Sequence, residues 1–554
     1  MTENVTSAFL HGGWIGDEVP ATMAHLDWDK TAPVAATVPA LLAWGAATHG
    51  SRDVLVIDDD RLTYAELDAR SAAFAAQLLK AGVGRGGRVG ILLPNGAEFL
   101  VTFFALVRIG AVAIPVSTLS SPPELARICR SAGFALLIAT DTYLGADFLG
   151  RIGTMLGACA TDTAIVQPET PHLRAIWLWR GTAPWATAIT QTPACARDTA
   201  LAAAAQALVV PADMLTIIYT SGSTAEPKGV MHSHGTFMRS SRRWAASMPY
   251  RDGDRLFAAS PMFWVGGLVT SLLTVMQVGG ALVSSARGGA ALLDVIERER
   301  CTTLQVWPHM ARQIADDPSF AGRDWSAMRM GSVLGMIAPE RHPRNPNGFG
   351  WAMGMTETAG PHSLAMASID DDHRGAMGLL APGMDHRIVD ADTGAILGEG
   401  AQGELHVRGD TLMLGYAGRE RADTFDADGW FATGDICSIR DLHLFFHGRR
   451  DGMIKTAGAN VAPAEVEAAL MTLPDIAEAH VLGVPDPVRG QIVGALLVPR
   501  VGATLDRETV LVAARSLLSS YKVPRKLAIV AVAPATATNK LDRRAALRLI
   551  EELG

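Results

Sequence analysis

Between Tyr219 and Gly229 the sequence reads YTSGSTAEPKG. It crowds five hydroxyl side chains (Tyr219, Thr220, Ser221, Ser223, Thr224) and two glycines (Gly222, Gly229) around one lysine, Lys228. Small residues let backbone N–H groups approach an anion, hydroxyls add donors, and a lysine ammonium supplies a point charge. This is chemistry for a polyphosphate. It is not a Walker loop, because Pro227 stands where that motif has its second glycine before the lysine. A flexible Ser/Gly surface string would share the composition. What favours anion binding is position, directly after the apolar run LTII and before the apolar continuation of PKGV. A second pattern, Gly82-Val-Gly84-Arg-Gly-Gly87, matches the GxGxxG dinucleotide fingerprint. It follows a helical pattern and precedes a strand, whereas the fingerprint needs strand, turn, helix. It reads as a turn. Taken singly, Thr356-Glu357 reads as a helix start or turn, Asp435 as a Gly-Asp turn residue and Lys540 as a surface lysine.

The elements that must position these residues alternate. Thr63-Tyr-Ala-Glu66 is a capping box, opening a helix whose Tyr64, Leu67, Phe74 and Leu78 recur at helical spacing and which stops at Gly82. A strand at 88–93, a helix over 97–108 and the strand AVAIPV follow, then strands at 134–139 and 215–220. Such alternation predicts an α/β architecture with largely parallel sheets. Residues 158–205, rich in Ala, Thr and Pro, read as surface connection. From about 386 the strands HRIVD, GELHVRG and HLFFHGR dominate. A new unit after Asp451 holds the helix AEVEAALMTL, the strand AEAHVLGV and a closing basic helix, DRRAALRLIEE.

The 554 residues carry 48 Lys+Arg against 56 Asp+Glu, a formal charge of −8, which argues against a nucleic-acid partner. An apolar fraction of 49% is too high for disorder. The five cysteines are scattered without a CxxC pair, so neither a disulfide framework nor a zinc site is expected. No charged-then-apolar leader opens the chain, and the expected setting is cytoplasmic. The apolar stretch Phe99 to Val116 has nearly the length of a bilayer span, but Arg108, Gly110 and Pro115 interrupt it. A buried helix followed by a buried strand fits better, without integral membrane contact.

The loop continues as YTSGSTAEPKGVMHSH and resembles the signature phosphate loop of the adenylate-forming enzymes: acyl-CoA synthetases, carrier-protein adenylation domains and luciferases of the firefly kind. Further motifs follow in that superfamily's order: IGAVAIPV, GMTETAG (354–360), GELHVRGDTLMLGY (403–416), GWFATGD (429–435), HGRRDGMIKTAGANVAPAEVE (447–467), VLGVPDP, YKVPRK and TATNKLDRRAALR. The resemblance implies a large N-terminal body over 1–450, with two α/β sheet subdomains and a β-rich one. A small, mobile α+β lid would occupy 451–554, hinged near Asp451. It implies a two-step reaction in which a carboxylic acid and ATP give an acyl-adenylate and pyrophosphate, after which coenzyme A displaces AMP.

By the same resemblance, Thr220, Ser221, Gly222, Ser223, Thr224 and Lys228 grip the phosphates, Thr356 donates to phosphate and Glu357 holds Mg²⁺. Gly331, Ser332, Met353 and Gly354 would border adenine, and Asp435 and Arg449 would bind the ribose side of the nucleotide. Lys540 would serve adenylation; after the lid rotates, Lys455 and Gly458 would serve the thiol step. The chain departs from the pattern at Met353, where an aromatic ring is usual, with Trp351 close by as a substitute. It departs also at the adenine segment MGSVLGM, at Gly452 and at Asn539. The acyl pocket is expected from Met262, Trp264, Gly266, Gly267, His309 and Met336, apolar with room at the glycines, and suited to a hydrophobic monocarboxylate. The alternatives are a stand-alone enzyme loading a carrier-protein phosphopantetheine thiol, and a degenerate paralogue that only binds nucleotide or acid. A homodimer stays open.

Overall fold

The computed structural model describes residues 29, 31, 35–161, 164–190, 195–220, 227–306, 308–331, 352–364, 371–373, 375–450, 452–500, 502–534 and 541–554. Two sheets dominate the first two thirds. An eight-stranded sheet runs in the order Gly415–Tyr416, Lys228–Ser233, Met214–Thr220, Val112–Pro115, Arg88–Leu92, Leu136–Ala139, Ala175–Leu178, Thr187–Ala188. A six-stranded sheet runs Met330–Gly331, Thr303–Gln305, Arg255–Ala258, Ala281–Ser284, Asp53–Ile57, Asp60–Thr63. Most neighbours pair in parallel, as the alternation of helix and strand predicts.

One apolar cluster joins Leu55 and Leu282 of the smaller sheet to Val89, Ile91 and Ala113 of the larger. The helices Tyr64–Lys80 and Ala97–Arg108 sit within it. Every residue from Phe99 to Arg108 is buried, which explains why this helix is apolar all round. Arg108 ends it and pairs with Asp68, so its charge is compensated inside the protein. No helix among the described residues is long and apolar enough to cross a membrane. The capping box forms as expected: the Thr63 hydroxyl accepts from Glu66 N, and Glu66 accepts from Thr63 N. Tyr64 is fully buried with its hydroxyl donating to Gly280 O at 2.7 Å, and Gly45 lacks a side chain where that ring lies. The Gly82–Gly87 pattern is a turn between helix and strand.

Residues 158–205 depart from the expected surface connection. Ala175–Leu178 forms a parallel strand beside Leu136–Ala139, and Ala196–Gln206 is a helix. The AIWL run is only four residues long, but Ile176 and Leu178 face a sheet already completed on its other side. Its strand character comes from that neighbour, which local periodicity cannot show.

A six-stranded layer follows, ordered Ser363–Leu364, Leu379–Leu380, His443–Arg449, Phe431–Arg440, Gly403–Gly409, Met384–Val389, and its pairs are antiparallel. The C-terminal sheet contains Ala459–Val461, Ile454–Thr456, Gly490–Pro499 and Ile476–Asp486, with Lys526–Ile529 parallel to Gly490–Pro499. It is covered by Pro463–Leu470, Arg507–Leu517 and Arg543–Leu553, around apolar clusters of its own. The chain is thus a large mixed α/β body followed by a small α+β C-terminal unit.

Candidate active site

The strand Met214–Thr220 and its antiparallel neighbour Lys228–Ser233 place Thr220 directly opposite Lys228. These two residues are the described ends of the hydroxyl-rich loop; Ser221, Gly222, Ser223 and Thr224 lie outside the described residues. Lys228 directs its ammonium toward the face of Tyr416, 5.4 Å from the ring centroid. The Tyr416 phenol in turn donates to Glu357 Oε1 at 2.8 Å. One tyrosine therefore links the loop lysine to the carboxylate expected to meet a cation. Burial, followed by the Glu357 charge, pushes the Tyr416 phenol far above its ordinary range, so it stays a donor.

Thr356 and Glu357 occupy one turn of 3-10 helix, Thr356–Thr358. Two ties fix it. Met413 N donates to Glu357 O at 2.8 Å, and His232 Nε2–H donates to Thr356 O at 2.7 Å. His232 is buried, its Nδ1 has no hydrogen-bond partner among the described residues, and burial lowers its pKa to about 4. A neutral imidazole with one fixed tautomer thus connects the Lys228 strand to the Thr356 turn. Tyr416 and His232 were not singled out from sequence. Both stand in quoted motifs, but their partners lie 59 and 124 positions away, and only the fold joins them.

On the antiparallel layer, Asp435 pairs in register with Arg449 across adjacent strands, and Arg449 Nη1 donates to Asp435 Oδ1 at 2.9 Å. Asp435 is only 5% exposed. Burial raises its carboxyl to about 6, against the opposing charges of Arg449 and Lys455. Glu357 also acts on it electrostatically, so the two carboxylates feel each other's charge. Lys455 is held below the usual lysine range by desolvation, which Asp435 opposes. Gly458 closes the turn after Lys455, at φ +86°.

The remaining expected residues divide. Gly354 pairs with Pro361, and a side chain there would strike the Gly360 backbone. Gly331 ends the edge strand of the six-stranded α/β sheet, close against Leu304. Met353 packs into the apolar cluster of the antiparallel layer. Met262 is fully buried in the main core, its N–H donating to Asn95 Oδ1. Gly267 does not make room in a pocket, because a Cβ there would lie 2.2 Å from Pro261 O; it permits close backbone approach instead. Gly266 is different. Its nearest neighbour, Ser260 Oγ, is 3.7 Å from such a Cβ. Gly266 opens a π-helical segment, Gly266–Leu273, whose Thr270 and Ser271 hydroxyls both donate to Gly266 O. Trp264 stands beside it, edge-on to Phe263 and to Tyr521 of the C-terminal unit. Ser332, Met336, Trp351, Asp451, Asn539 and Lys540 lie outside the described residues, as does the His309 side chain.

A family model described as AMP-binding enzyme matches residues 42–417, and one described as AMP-binding enzyme C-terminal domain matches residues 465–540. The chain is 31% identical over 520 residues to 4-coumarate--CoA ligase 1 of Oryza sativa subsp. japonica, covering 89% of this chain and 88% of that protein. It is 29% identical over 499 residues to the long-chain-fatty-acid--CoA ligase FadD13 of Mycobacterium tuberculosis, covering 87% and 92%. Among solved structures, the amide bond synthetase McbA of Marinactinospora thermotolerans matches with a TM-score of 0.76 at 26% identity, covering 92% of this chain and 99% of that one.

Proposed function

Because this chain belongs to the AMP-binding enzyme family of adenylate-forming ligases, we propose that it activates a hydrophobic monocarboxylic acid with ATP and transfers the acyl group to coenzyme A. AMP-forming ligation that uses ATP and CoA is the chemistry of its CoA-ligase relatives. The class of acid and the role of each residue belong to the proposal. The observation that supports it most is the chain of contacts Lys228–Tyr416–Glu357, with the Asp435–Arg449 pair within electrostatic reach of Glu357.

In the first step a carboxylate oxygen of the acid attacks the α-phosphorus of ATP, and the bond to the β-phosphate breaks with release of pyrophosphate. Such displacement needs positioning and charge stabilisation. Thr220, Lys228 and the hydroxyl loop between them serve the leaving phosphates, with Thr356 as a further donor. Asp435, ionised, accepts from both ribose hydroxyls while Arg449 holds its other side. Glu357 fits a hard cation: Tyr416 fixes one of its oxygens, and phosphate and water complete such a shell. Mg²⁺ bound there would neutralise phosphate charge. Lys540 serves this step, and the segment of Lys455 and Gly458 serves the second, in which the CoA sulfur attacks the acyl carbon and AMP leaves. Gly266 and Trp264 border the acid, and no Lys or Arg stands in the SPMFWVGGL string to pair with a second carboxylate.

Likeness to the amide bond synthetase supports a second reading, in which an amine intercepts the same adenylate. The deciding experiment is mass-spectrometric detection of acyl-CoA and AMP after incubation with ATP, Mg²⁺, CoA and a panel of fatty, aryl, polycyclic and amino acids. A thioester formed with an apolar class and lost in Lys540→Ala is the expected result. AMP without thioester would point to an amine or carrier thiol as acceptor. Turnover restricted to amino acids or short dicarboxylates would overturn the apolar substrate.

A further inference from the structure

An ionic cluster joins the body to the C-terminal unit. Glu124 lies in the first turn of the body helix Pro122–Ala132, where it accepts from Ser121 N at 2.8 Å. Its two oxygens are both taken from across the joint. Lys522 Nζ donates to Oε1 at 2.7 Å and Ser519 Oγ to Oε2 at 2.7 Å. Lys522 also donates to Glu465 Oε1 at 2.7 Å, on the helix Pro463–Leu470 of its own unit. A third bond crosses where Ser121 Oγ donates to Leu517 O at 2.8 Å.

All four side chains are buried, at 4% for Glu124, 7% for Lys522, 3% for Glu465 and 2% for Ser519. One ammonium holds two carboxylates in a dry joint. Losing Lys522 would leave two uncompensated buried charges, and losing Glu124 would remove two of the three hydrogen bonds named across the joint. Burial alone would push the Glu124 carboxyl up, but Lys522 and the two donors hold it below the usual carboxylate range. The residue preceding Lys522, Tyr521, meets Trp264 edge-on, so the joint also touches the acyl loop. Both walls border an open cleft that reaches Thr220 at the start of the phosphate loop.

This orientation has a functional correlate. In it Lys455, on the first strand of the C-terminal sheet, lies within electrostatic reach of Asp435, while the bonds of Glu124 hold that sheet's unit in place. We propose that Glu124 and Lys522 are positioning residues for the thiol step: their buried bond holds the C-terminal unit in the orientation that presents Lys455 to the adenylate. The proposal rests on the function proposed above.

The test separates the half-reactions in the full-length enzyme. Glu124→Gln keeps the side chain's shape but removes the charge that faces Lys522. Lys522→Gln leaves the helix cap of Glu124 untouched. Each is expected to slow thioester formation from preformed acyl-adenylate by about tenfold or more, with ATP–pyrophosphate exchange kept within about twofold. Amide hydrogen exchange of ligand-free enzyme should rise across 517–526 in both variants. An equal fall in both half-reactions would mark a merely structural role and overturn the proposal, as would unchanged exchange across 517–526. A wild-type enzyme that turns over no acid would count against the proposed function instead, and the exchange measurement would still decide the joint.

Discussion

Asp435 carries a conflict between its place and the task proposed for it. The proposed acceptance from two ribose hydroxyls needs an ionised carboxylate, yet burial raises its carboxyl to about 6 despite Arg449. Nucleotide binding should therefore fail on the acid side. Below pH 6 the dissociation constant for ATP, read by calorimetry, is expected to rise by about tenfold per pH unit, as each bound nucleotide must first displace a proton. Asp435→Asn should bind weakly at every pH and lose that slope; a slope unchanged in the variant would assign the titration elsewhere. GWFATGD singles out Asp435 as a candidate, because the motif is local. Its electrostatics are not legible there, since Arg449, Lys455 and Glu357 reach it from separate elements. Tyr416 illustrates the same limit: the sequence shows a tyrosine after a glycine, and only folding puts its phenol on Glu357.

At the scale of elements, most of the alternating pattern was readable because each strand and helix carries its own signal. The helix Ala97–Arg108 and the strand Arg88–Leu92 fall where apolar runs and breakers put them. Ala175–Leu178 did not, because its short run becomes a strand only beside Leu136–Ala139. The π-helical segment Gly266–Leu273 is also invisible to periodicity, and it gives its first two glycines opposite duties. Gly267→Ala forces a methyl against Pro261 O and should cost about 1–3 kcal/mol of stability, read from chemical denaturation. Gly266→Ala meets nothing closer than Ser260 Oγ and should change stability by less than about 0.5 kcal/mol. Its effect is expected on the acid instead, as a raised KM for the bulkiest substrate. Equal destabilisation by both would show that neither glycine shapes a pocket.

Across the whole molecule, buried imidazoles make the fold sensitive to acid. His386 Nδ1–H donates to Met384 O at 3.1 Å, so its Nε2 must accept from His362 Nδ1–H, also at 3.1 Å. His362 Nε2 is left without a partner in the core. The pair is stable only when both rings are neutral. Burial lowers His386, His232 and His234 each to about 4, and His362 further, first by burial and then by the neighbouring His386. A histidine with a depressed folded pKa contributes stability above its unfolded value, near 6.5, and loses it as pH falls toward the folded value. His232, His234 and His386 would each forfeit on the order of 1 kcal/mol between pH 7.5 and 5.5, and His362 acts in the same direction. Asp435 acts in the opposite direction, because its raised carboxyl takes up a proton in the folded state, and over this range it returns about 1 kcal/mol. The histidines win. The thermal midpoint at a fixed scan rate is therefore expected to drop by several degrees between pH 7.5 and 5.5. His234→Gln, which replaces a ring whose Nδ1 accepts from Val38 N, should be less stable at pH 7.5 but show a smaller drop. A midpoint that stays flat or climbs across this interval would mean that these rings are protonated in the folded protein, and that the core around His362 and His386 admits charge.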